Sequence, residues 1–531
     1  MDTFGLLIVI LLSLGFSQAQ LADHYNFTVH KRFARSVVNM DELLQLNEEL
    51  ALNLEKYASD LAEKAHTINK GINQMMNRHL HLDQGRSEKF WSSPLNSYAL
   101  IRHMQSDWSF WSIYMEKPVG LDKITYLESM KPSLPQKWDF EDAAKGIRRM
   151  QEVYGMSTKD MAKGLLNGVQ YNSSLTAREC LELGLYLMND FRWLESEEWI
   201  YAGLAALDRA DTKSEMHLFG APKKSLLYRT LAKNKLRQNK LQEGLSAYQA
   251  ALGESPHDAE LFKEFQFAET MVLTKPGIHL NFSKLEESIK QDNLLYTRCC
   301  NGHCPVDRKL RLYCVYNTTS SPFYRLAPLK VEILSKDPHI VIFHDIVSFE
   351  ERKRIRKGSK NYLIASSTFN MTSGTYQIET TRTSKSVWIQ SNSNNLSQKL
   401  TNVMEEATGL DMNYSEMFQV INYGVGGVFE VHFDTLLRDE DRFNGTEDRI
   451  ATLLYYLSDV PQGGATVFPG LNLTVFPQPG SVLFWYNLDN KGNEDLMTHH
   501  VGCPVIVGSK WVMSKWINDL GQEFRRPCVE L

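Results

Sequence analysis

The hydrophobic pattern changes period partway along the chain, and that change limits what it can fold into. From Asp41 to about Met76, apolar residues fall at Leu43, Leu46, Leu50, Leu54, Tyr57, Leu61, Ala65, Ile68, Ile72 and Met75. Steps of three and four put them on one stripe of a long helix. Such a stripe suits a coiled coil or an antiparallel helix pair, and equally an ordinary bundle helix. Further helical stretches run from about Pro94 to Met115 and from about Phe140 to Leu166. Late in the chain the alternation has period two, as in half-buried strands. These runs are Met417 to Tyr423, Arg449 to Leu457, Ser481 to Tyr486, Cys503 to Val507 and Trp511 to Ile517. Turns at Gly424 to Gly427, Gly463 with Gly464, Pro477 to Gly480, and Gly508 separate them. Two helices intrude: a capping box of Ser348 and Glu351 opens one, and the other spans Ser393 to Thr408. Helices first and short strands after make an α+β multidomain chain with a C-terminal barrel or jelly roll.

Between these parts lies a weak repeat. Tyr228, Leu231, Ala232, Gly244, Tyr248, Ala251 and Pro256 sit at the offsets of a tetratricopeptide helix pair. Cys180, Leu183, Gly184, Ser196, Ile200 and Gly203 match the same offsets more loosely. Such pairs present a groove to an extended peptide, whereas two plain hairpins in a bundle would not. Residues 273–335 read as a linker, with a cysteine cluster, two glycosylation triplets, Pro322 and Pro328.

The first 19 residues read as a cleaved secretory signal, with an apolar run from Phe4 to Phe16 and small residues at Ser17 and Ala19. Nine Asn-x-Ser/Thr triplets, at Asn26, Asn172, Asn281, Asn317, Asn370, Asn395, Asn413, Asn444 and Asn472, permit a lumenal location. Four of seven cysteines crowd together (Cys299, Cys300, Cys304, Cys314), and Cys503 and Cys528 flank the C-terminal region. In an oxidising compartment they suggest local disulfide loops; a zinc site at Cys300, His303, Cys304 and Cys314 is the alternative. After the leader no 18-residue apolar run exists, so no membrane span is expected. A net charge of −5 argues against nucleic acid as a partner.

The chemistry concentrates around His432 and Asp434. An imidazole and a carboxylate two positions apart on a strand share a face and can bind one metal ion. With 15 His, about one such pair is expected by chance, and His81 with Asp83 is another, in the helical region. The later residues strengthen the first pair. His500 ends a polar segment just before a strand, and Lys510 follows ten residues on. Two His and one carboxylate on one side of an octahedral ion leave positions open, as in non-haem Fe(II) oxygenases. A buried lysine could then pair with the far carboxylate of a chelating dicarboxylate.

The segments NYGVGG with His432 and Asp434, RIATLLYYLSDV, GGATVFP, FWYN, CPVIVGSKWV and GQEFRRPC resemble those of collagen prolyl 4-hydroxylase alpha subunits. The likeness is strong over about residues 335–531 and looser before. It implies a signal peptide (1–19), a helical assembly and dimerisation region (20–165), and a tetratricopeptide-like peptide-binding domain (170–272). A linker (273–335) and a double-stranded β-helix dioxygenase domain (336–531) would follow. It also implies that His432, Asp434 and His500 bind Fe(II), that Lys510 anchors 2-oxoglutarate, and that Tyr423 and Thr466 help hold it. Arg449 and Trp516 would lie near the substrate proline, and His499 would be a bystander. Cys300 would pair with Cys314 and Cys503 with Cys528, leaving Cys180 a buried thiol. The implied activity is 4-hydroxylation of proline in collagen-like X-Pro-Gly sequences with O2 and 2-oxoglutarate, giving succinate and CO2, with ascorbate resetting the iron. The implied setting is the endoplasmic reticulum lumen, in an alpha2beta2 heterotetramer with protein disulfide isomerase. Proline 3- or lysine hydroxylation, or a non-catalytic collagen-binding chaperone, are the rival functions.

One departure concerns substrate choice. The family lines its peptide groove with tyrosines, yet the helix at 226–236 offers Tyr228 followed by Arg229, Lys233 and Lys235. Tyr186, Phe191, Trp193, Trp199 and Tyr201 supply aromatic groups in the first repeat. The expectation is tolerance of acidic or less proline-rich peptides.

Overall fold

The computed structural model describes residues 32–77, 92–209, 222–274, 294–305, 313–370, 375–436 and 448–526. The leader, Asn26, His81, Asp83, Asn281, Asn444 and Cys528 lie outside the described residues. The chain forms two compact units, residues 39–136 and the remainder.

The smaller unit is helical: α1 (Asn39–Asn77), α2 (Pro94–Arg102), α3 (Trp108–Glu116) and α4 (Leu121–Met130). One π turn, His103–Asp107, joins α2 to α3, so the expected helix from Pro94 is nearly continuous. Gly71 is the one buried residue of α1, and a Cβ there would meet the Trp111 ring at 2.1 Å. Leu54, Leu61 and Ile72 stay exposed, as do Trp108, Phe110 and Ile113. The stripe is therefore only partly used within this unit.

The larger unit opens with a short turn, Phe33–Arg35, and resumes at α5 (Lys137–Tyr154). The expected helix to Leu166 stops early because Gly155 takes φ +61°, a left-handed terminator. Leu165–Leu166 instead pairs with Val169–Gln170 in a hairpin. Five helices follow: α6 (Ala177–Asn189), α7 (Trp193–Arg209), α8 (Lys224–Arg237), α9 (Leu241–Glu254) and α10 (Ala259–Thr274). Small residues set their approach. A Cβ on Gly184 would meet Ile200 at 3.0 Å, and one on Gly244 would meet Leu236 at 2.8 Å. Of the first-repeat aromatic residues, Trp199 is fully buried, while Phe191 and Tyr201 are exposed. The three expected cations are all paired. Arg229 reaches both oxygens of Glu264 at 2.7 and 2.8 Å, Lys233 joins the same carboxylate at 2.9 Å, and Lys235 binds Glu197 at 2.6 Å.

The C-terminal part is built on antiparallel strands: β1 (Cys314–Asn317), β2 (Leu329–Lys336), β3 (His339–His344), β4 (Ile364–Ala365), β5 (Ser384–Ile389), β6 (Phe418–Tyr423), β7 (Phe429–His432), β8 (Arg449–Tyr456), β9 (Thr466–Phe468), β10 (Leu473–Val475), β11 (Val482–Tyr486), β12 (His500–Gly502) and β13 (Trp511–Asn518). The large sheet runs β1-β2-β3-β11-β8-β13-β6-β5-β4, and the small one β7-β12-β9-β10. Thus β1 and β2, within the expected linker, belong to the large sheet. Leu329 to Ile333 does alternate at period two, but the flanking prolines and cysteines dominate that stretch of sequence. Helices Phe349–Ser359 and Asn395–Thr408 supply Ile355, Leu400 and Met404, which pack with Phe418, Val420 and Met513 of the large sheet. Ile421, Tyr423, Tyr456, Trp485 and Val512 cluster with Phe468 and Val475 of the small sheet. Alternation along β6 and β13 sorts residues between these two cores.

The cysteines pair differently from expectation. Cys299 joins Cys304, and Cys300 joins Cys503 across a separation of 203 residues. Cys299 and Cys300 end the helix Leu294–Cys300; one closes the following turn, and the other lies 5.7 Å from Cys503 between Cα atoms. Cys314 is an exposed thiol on the edge strand β1, so Cys300 with Cys314 and Cys503 with Cys528 are both replaced. The zinc alternative falls too, because Cys300 and Cys304 are oxidised. Cys180 is buried and keeps its thiol.

Candidate active site

The register of the small sheet places two imidazoles side by side: His432 of β7 lies directly opposite His500 of β12. Asp434 follows just past the end of β7, in a bend rather than on the strand as expected. Its carboxylate oxygens lie 3.6 Å from His432 Nε2 and 3.8 Å from His500 Nε2. One donor atom from each of the three lies within 4.8 Å of the others, and they form the one such metal-competent cluster among the described residues.

The tautomers suit metal binding. His432 Nδ1 contacts the Glu430 carbonyl at 2.7 Å, and His500 Nδ1 the Thr498 carbonyl at 3.1 Å. Carbonyls only accept, so each Nδ1 carries the proton and each Nε2 lone pair faces the cluster. Burial, followed by the neighbouring His500, holds His432 well below the usual histidine range, and burial lowers His500 as well. Burial pushes the Asp434 carboxyl up, but His500 and His432 outweigh it and the net direction is down. Two neutral imidazoles and one carboxylate are the donor set that fits a ferrous ion. Phe429 stacks on His432 at 3.5 Å, and Trp485 sits 4.8 Å from His500, edge on.

A polar relay fixes the carboxylate. Asn487 Nδ2 donates to Thr452 Oγ1 at 3.0 Å, and Thr452 donates to Asp434 Oδ2 at 2.7 Å. All three side chains are buried. A hydrogen bond to a buried charge contributes roughly 1.5–3 kcal/mol. Thr452→Val is therefore expected to weaken Co(II) binding about 10–100-fold. It should also raise the Asp434 pKa, so that metal binding fails at a higher pH on acidification. Equilibrium Co(II) titration at several pH values checks both.

Across the cavity Lys510, 2% exposed, precedes β13, with Nζ 5.0 Å from the Tyr423 ring. Burial alone lowers its pKa to about 7, and no described carboxylate pairs with it. The same cavity is lined by Tyr423, Thr466, Arg382 and Trp516 together with the three donors. Thr466 accepts from Tyr456 Oη at 2.9 Å. Arg449 binds Glu416, donates to the Asp434 carbonyl at 3.2 Å, and lies 4.0 Å over the Trp516 ring. His499 turns to Phe433 and the Leu496 carbonyl, outside the donor cluster.

Four contributors escaped the sequence reading. Arg382 is buried beside Phe429, its guanidinium 4.7 Å over that ring. Glu416 orients Arg449, and Thr452 with Asn487 orients Asp434. Arg382 lies in a stretch without strong periodicity. Thr452 and Asn487 stand inside the quoted segments RIATLLYYLSDV and FWYN, where polar residues in otherwise apolar strands were the available signal.

Residues 36–168 match the family described as prolyl 4-hydroxylase alpha-subunit, N-terminal region, and residues 418–518 match the 2OG-Fe(II) oxygenase superfamily. The chain is 31% identical to human prolyl 4-hydroxylase subunit alpha-1, covering 94% of this chain and 96% of that protein. It is 30% identical to chicken subunit alpha-2, over 93% and 95% respectively. A solved structure of viral collagen prolyl hydroxylase from Paramecium bursaria Chlorella virus-1 is 24% identical, with a TM-score of 0.29, covering 34% of this chain and 95% of that one. Near-complete coverage in both directions, with both family regions in their places, means that the chain belongs to the prolyl 4-hydroxylase alpha subunits.

Proposed function

We propose that this chain is a catalytic alpha subunit that hydroxylates peptidyl proline at C4 in collagen-like X-Pro-Gly sequences. The observation that carries the reading is the pairing of His432, Asp434 and His500 with a buried lysine, unpaired by any described carboxylate, in one cavity. Bound to the three donors, Fe(II) would supply O2 activation, with 2-oxoglutarate as co-substrate decarboxylated to succinate. Lys510 supplies the cation for the distal carboxylate, and Tyr423 and Thr466 flank that position. Arg449, braced by Glu416 over Trp516, shapes the wall beside Asp434 where a peptide can approach. Phe429, Phe468 and Trp485 keep water from the imidazoles.

The helix pairs α6–α10 serve this reading as a tetratricopeptide-like peptide-binding domain, and the two facing sheets as a double-stranded β-helix. The small unit, with its exposed Leu54, Leu61, Trp108 and Phe110, suits assembly with a second copy in a heterotetramer with protein disulfide isomerase. The two disulfides and the exposed triplet asparagines Asn172, Asn395 and Asn413 suit the endoplasmic reticulum lumen, with ascorbate as reductant. Because Glu260 and Glu264 together neutralise Arg229 and Lys233, the groove should not favour acidic ligands. Titration of proline-rich and acidic collagen-like peptides is expected to show less than about twofold preference for the acidic series, since a surface cation already paired adds little.

The deciding experiment incubates the assembled protein with (Pro-Pro-Gly) repeats, Fe(II), ascorbate and 2-oxoglutarate. Succinate release and fragment mass spectra showing hydroxyl at C4 support the proposal. Hydroxyl at C3 reassigns the activity, as does hydroxylation confined to lysine in a parallel reaction with a lysine-containing collagen-like peptide. Peptide binding without succinate would leave a collagen-binding chaperone.

A further inference from the structure

The six residues ahead of the assembly helix pack into the catalytic unit, about 390 positions from the loop they meet. Val425 N donates to the Ala34 carbonyl at 2.9 Å, and Val37 N donates to the Tyr423 carbonyl at 3.4 Å. Ser36 Oγ donates to Asn422 Oδ1 at 2.6 Å. Arg35 is 4% exposed. Its Nε binds Asp142 of α5 at 2.9 Å, and its Nη1 donates to the carbonyls of Glu379 at 2.6 Å and Arg382 at 3.2 Å. The glycines of the loop make room for this packing. A Cβ on Gly424 would lie 1.9 Å from the Ala34 carbonyl, and one on Gly426, at φ +53°, would lie 2.3 Å from that of Gly146.

These contacts lead to the metal ligands. The segment held by Arg35 runs antiparallel to the start of β7: Thr383 N donates to the Val428 carbonyl, Glu430 N donates to that of Thr381, and Arg382 bridges Phe429. Arg382 lies over the Phe429 ring, and Phe429 stacks on His432. On the other branch the strap grips the backbone of Tyr423, whose ring faces Lys510. Arg35 touches neither metal position nor cavity, so it acts only through these neighbours.

We propose that Phe33–Val38 is a working part of the catalytic unit, with Arg35 as a positioning residue that sets His432 through Arg382 and Phe429 and sets Tyr423 through the strap backbone. A dioxygenase unit cut from residue 336 onward therefore lacks the packing that backs the Glu379–Arg382 segment and the Tyr423 backbone. The inference rests on the metal reading of His432, Asp434 and His500.

The test uses the full chain in its native assembly and Co(II) as the probe. Arg35→Ala is expected to weaken Co(II) binding and raise the 2-oxoglutarate KM by about tenfold each, at the lower end of effects seen for groups supporting metal ligands. At saturating Co(II)-free, Fe(II)-loaded conditions and excess 2-oxoglutarate, kcat should return to within about threefold, whereas a protein merely short of folded molecules would lose kcat in proportion. Arg35→Lys, keeping charge but not the fork, should be intermediate. Arg32→Ala, which removes a partner of Asp142 with no barrel contact, should stay within about twofold. Co(II) affinity and KM unchanged in Arg35→Ala overturn the proposal. If that variant does not fold, Ser36→Ala decides in the same way, through the Asn422 contact. Failure of the wild-type protein to bind Co(II) would instead overturn the metal reading itself.

Discussion

Replacing His432 or His500 with alanine, or Asp434 with asparagine, should each reduce succinate formation by more than about 10³-fold, a loss of roughly 4 kcal/mol of transition-state stabilisation. The Asp434 change should be the most severe. That carboxylate is the one anion of the donor set, and Lys510 and Arg382 are cations lining the same cavity. With asparagine in its place, a dication would enter a buried site whose remaining lining charges, Arg382 and Lys510, are positive, where Coulomb repulsion is weakly screened. Thr452 would also lose a charged acceptor. The measurements are Co(II) titration, which should show no saturable binding in Asp434→Asn, and succinate release with Fe(II). Far-ultraviolet circular dichroism should remain unchanged, since each substitution removes a ligand rather than a core side chain. Turnover within tenfold of wild type in any of the three would refute their assignment as ligands.

How much of this site could be read from the residues depends on which physical rule places each group. His432 and Asp434 are close in sequence, and a strand or its end keeps such neighbours together. His500 needed a partner rule: its position at the start of a short strand becomes meaningful once β12 is known to pair with β7 in a register that opposes the two histidines. Lys510 was legible as a cation at the start of a mostly apolar strand, although Lys515 stands within the same strand. Disulfide choice was not legible, because four cysteines within 16 residues offer several pairings and only the packing of Leu294–Cys300 beside Cys503 selects among them. The strap Phe33–Val38 was invisible for a different reason. Arg35 and Ser36 find their partners more than 100 positions away, and Ala34 and Val37 bind through the backbone, so no local pattern distinguishes the strap from an exposed leader. The long helix α1 was read from its periodicity, whereas the helix after Phe140 was overextended because a left-handed glycine at Gly155 overrides an amphipathic pattern.

Lys510→Met should raise the 2-oxoglutarate KM by at least about 10²-fold, since truncating one member of a buried charged pair costs roughly 2–5 kcal/mol. In the unliganded protein the same substitution should increase thermal stability. Burial lowers the Lys510 pKa to about 7 from an ordinary value of 10.5. Between those two values the unfolded chain binds the extra proton and the folded chain does not, so the lysine's contribution to stability improves as pH rises through that window. Below about pH 7 the ammonium must be carried inside the fold without a carboxylate, and the full penalty applies. Methionine removes that penalty while filling much the same space. Binding of a dicarboxylate reverses the balance, because it favours the ammonium. Above about pH 7, 2-oxoglutarate should therefore bind together with a proton, and its affinity should fall by up to about tenfold per pH unit, until the pH reaches the raised pKa of the complex. The methionine variant should lose this slope. Calorimetric titration of 2-oxoglutarate in two buffers of different ionisation enthalpy measures the proton uptake directly, and melting curves at pH 6 and pH 9 measure the stability side. A variant that melts lower than wild type yet keeps its KM would show that Lys510 holds the fold rather than the co-substrate.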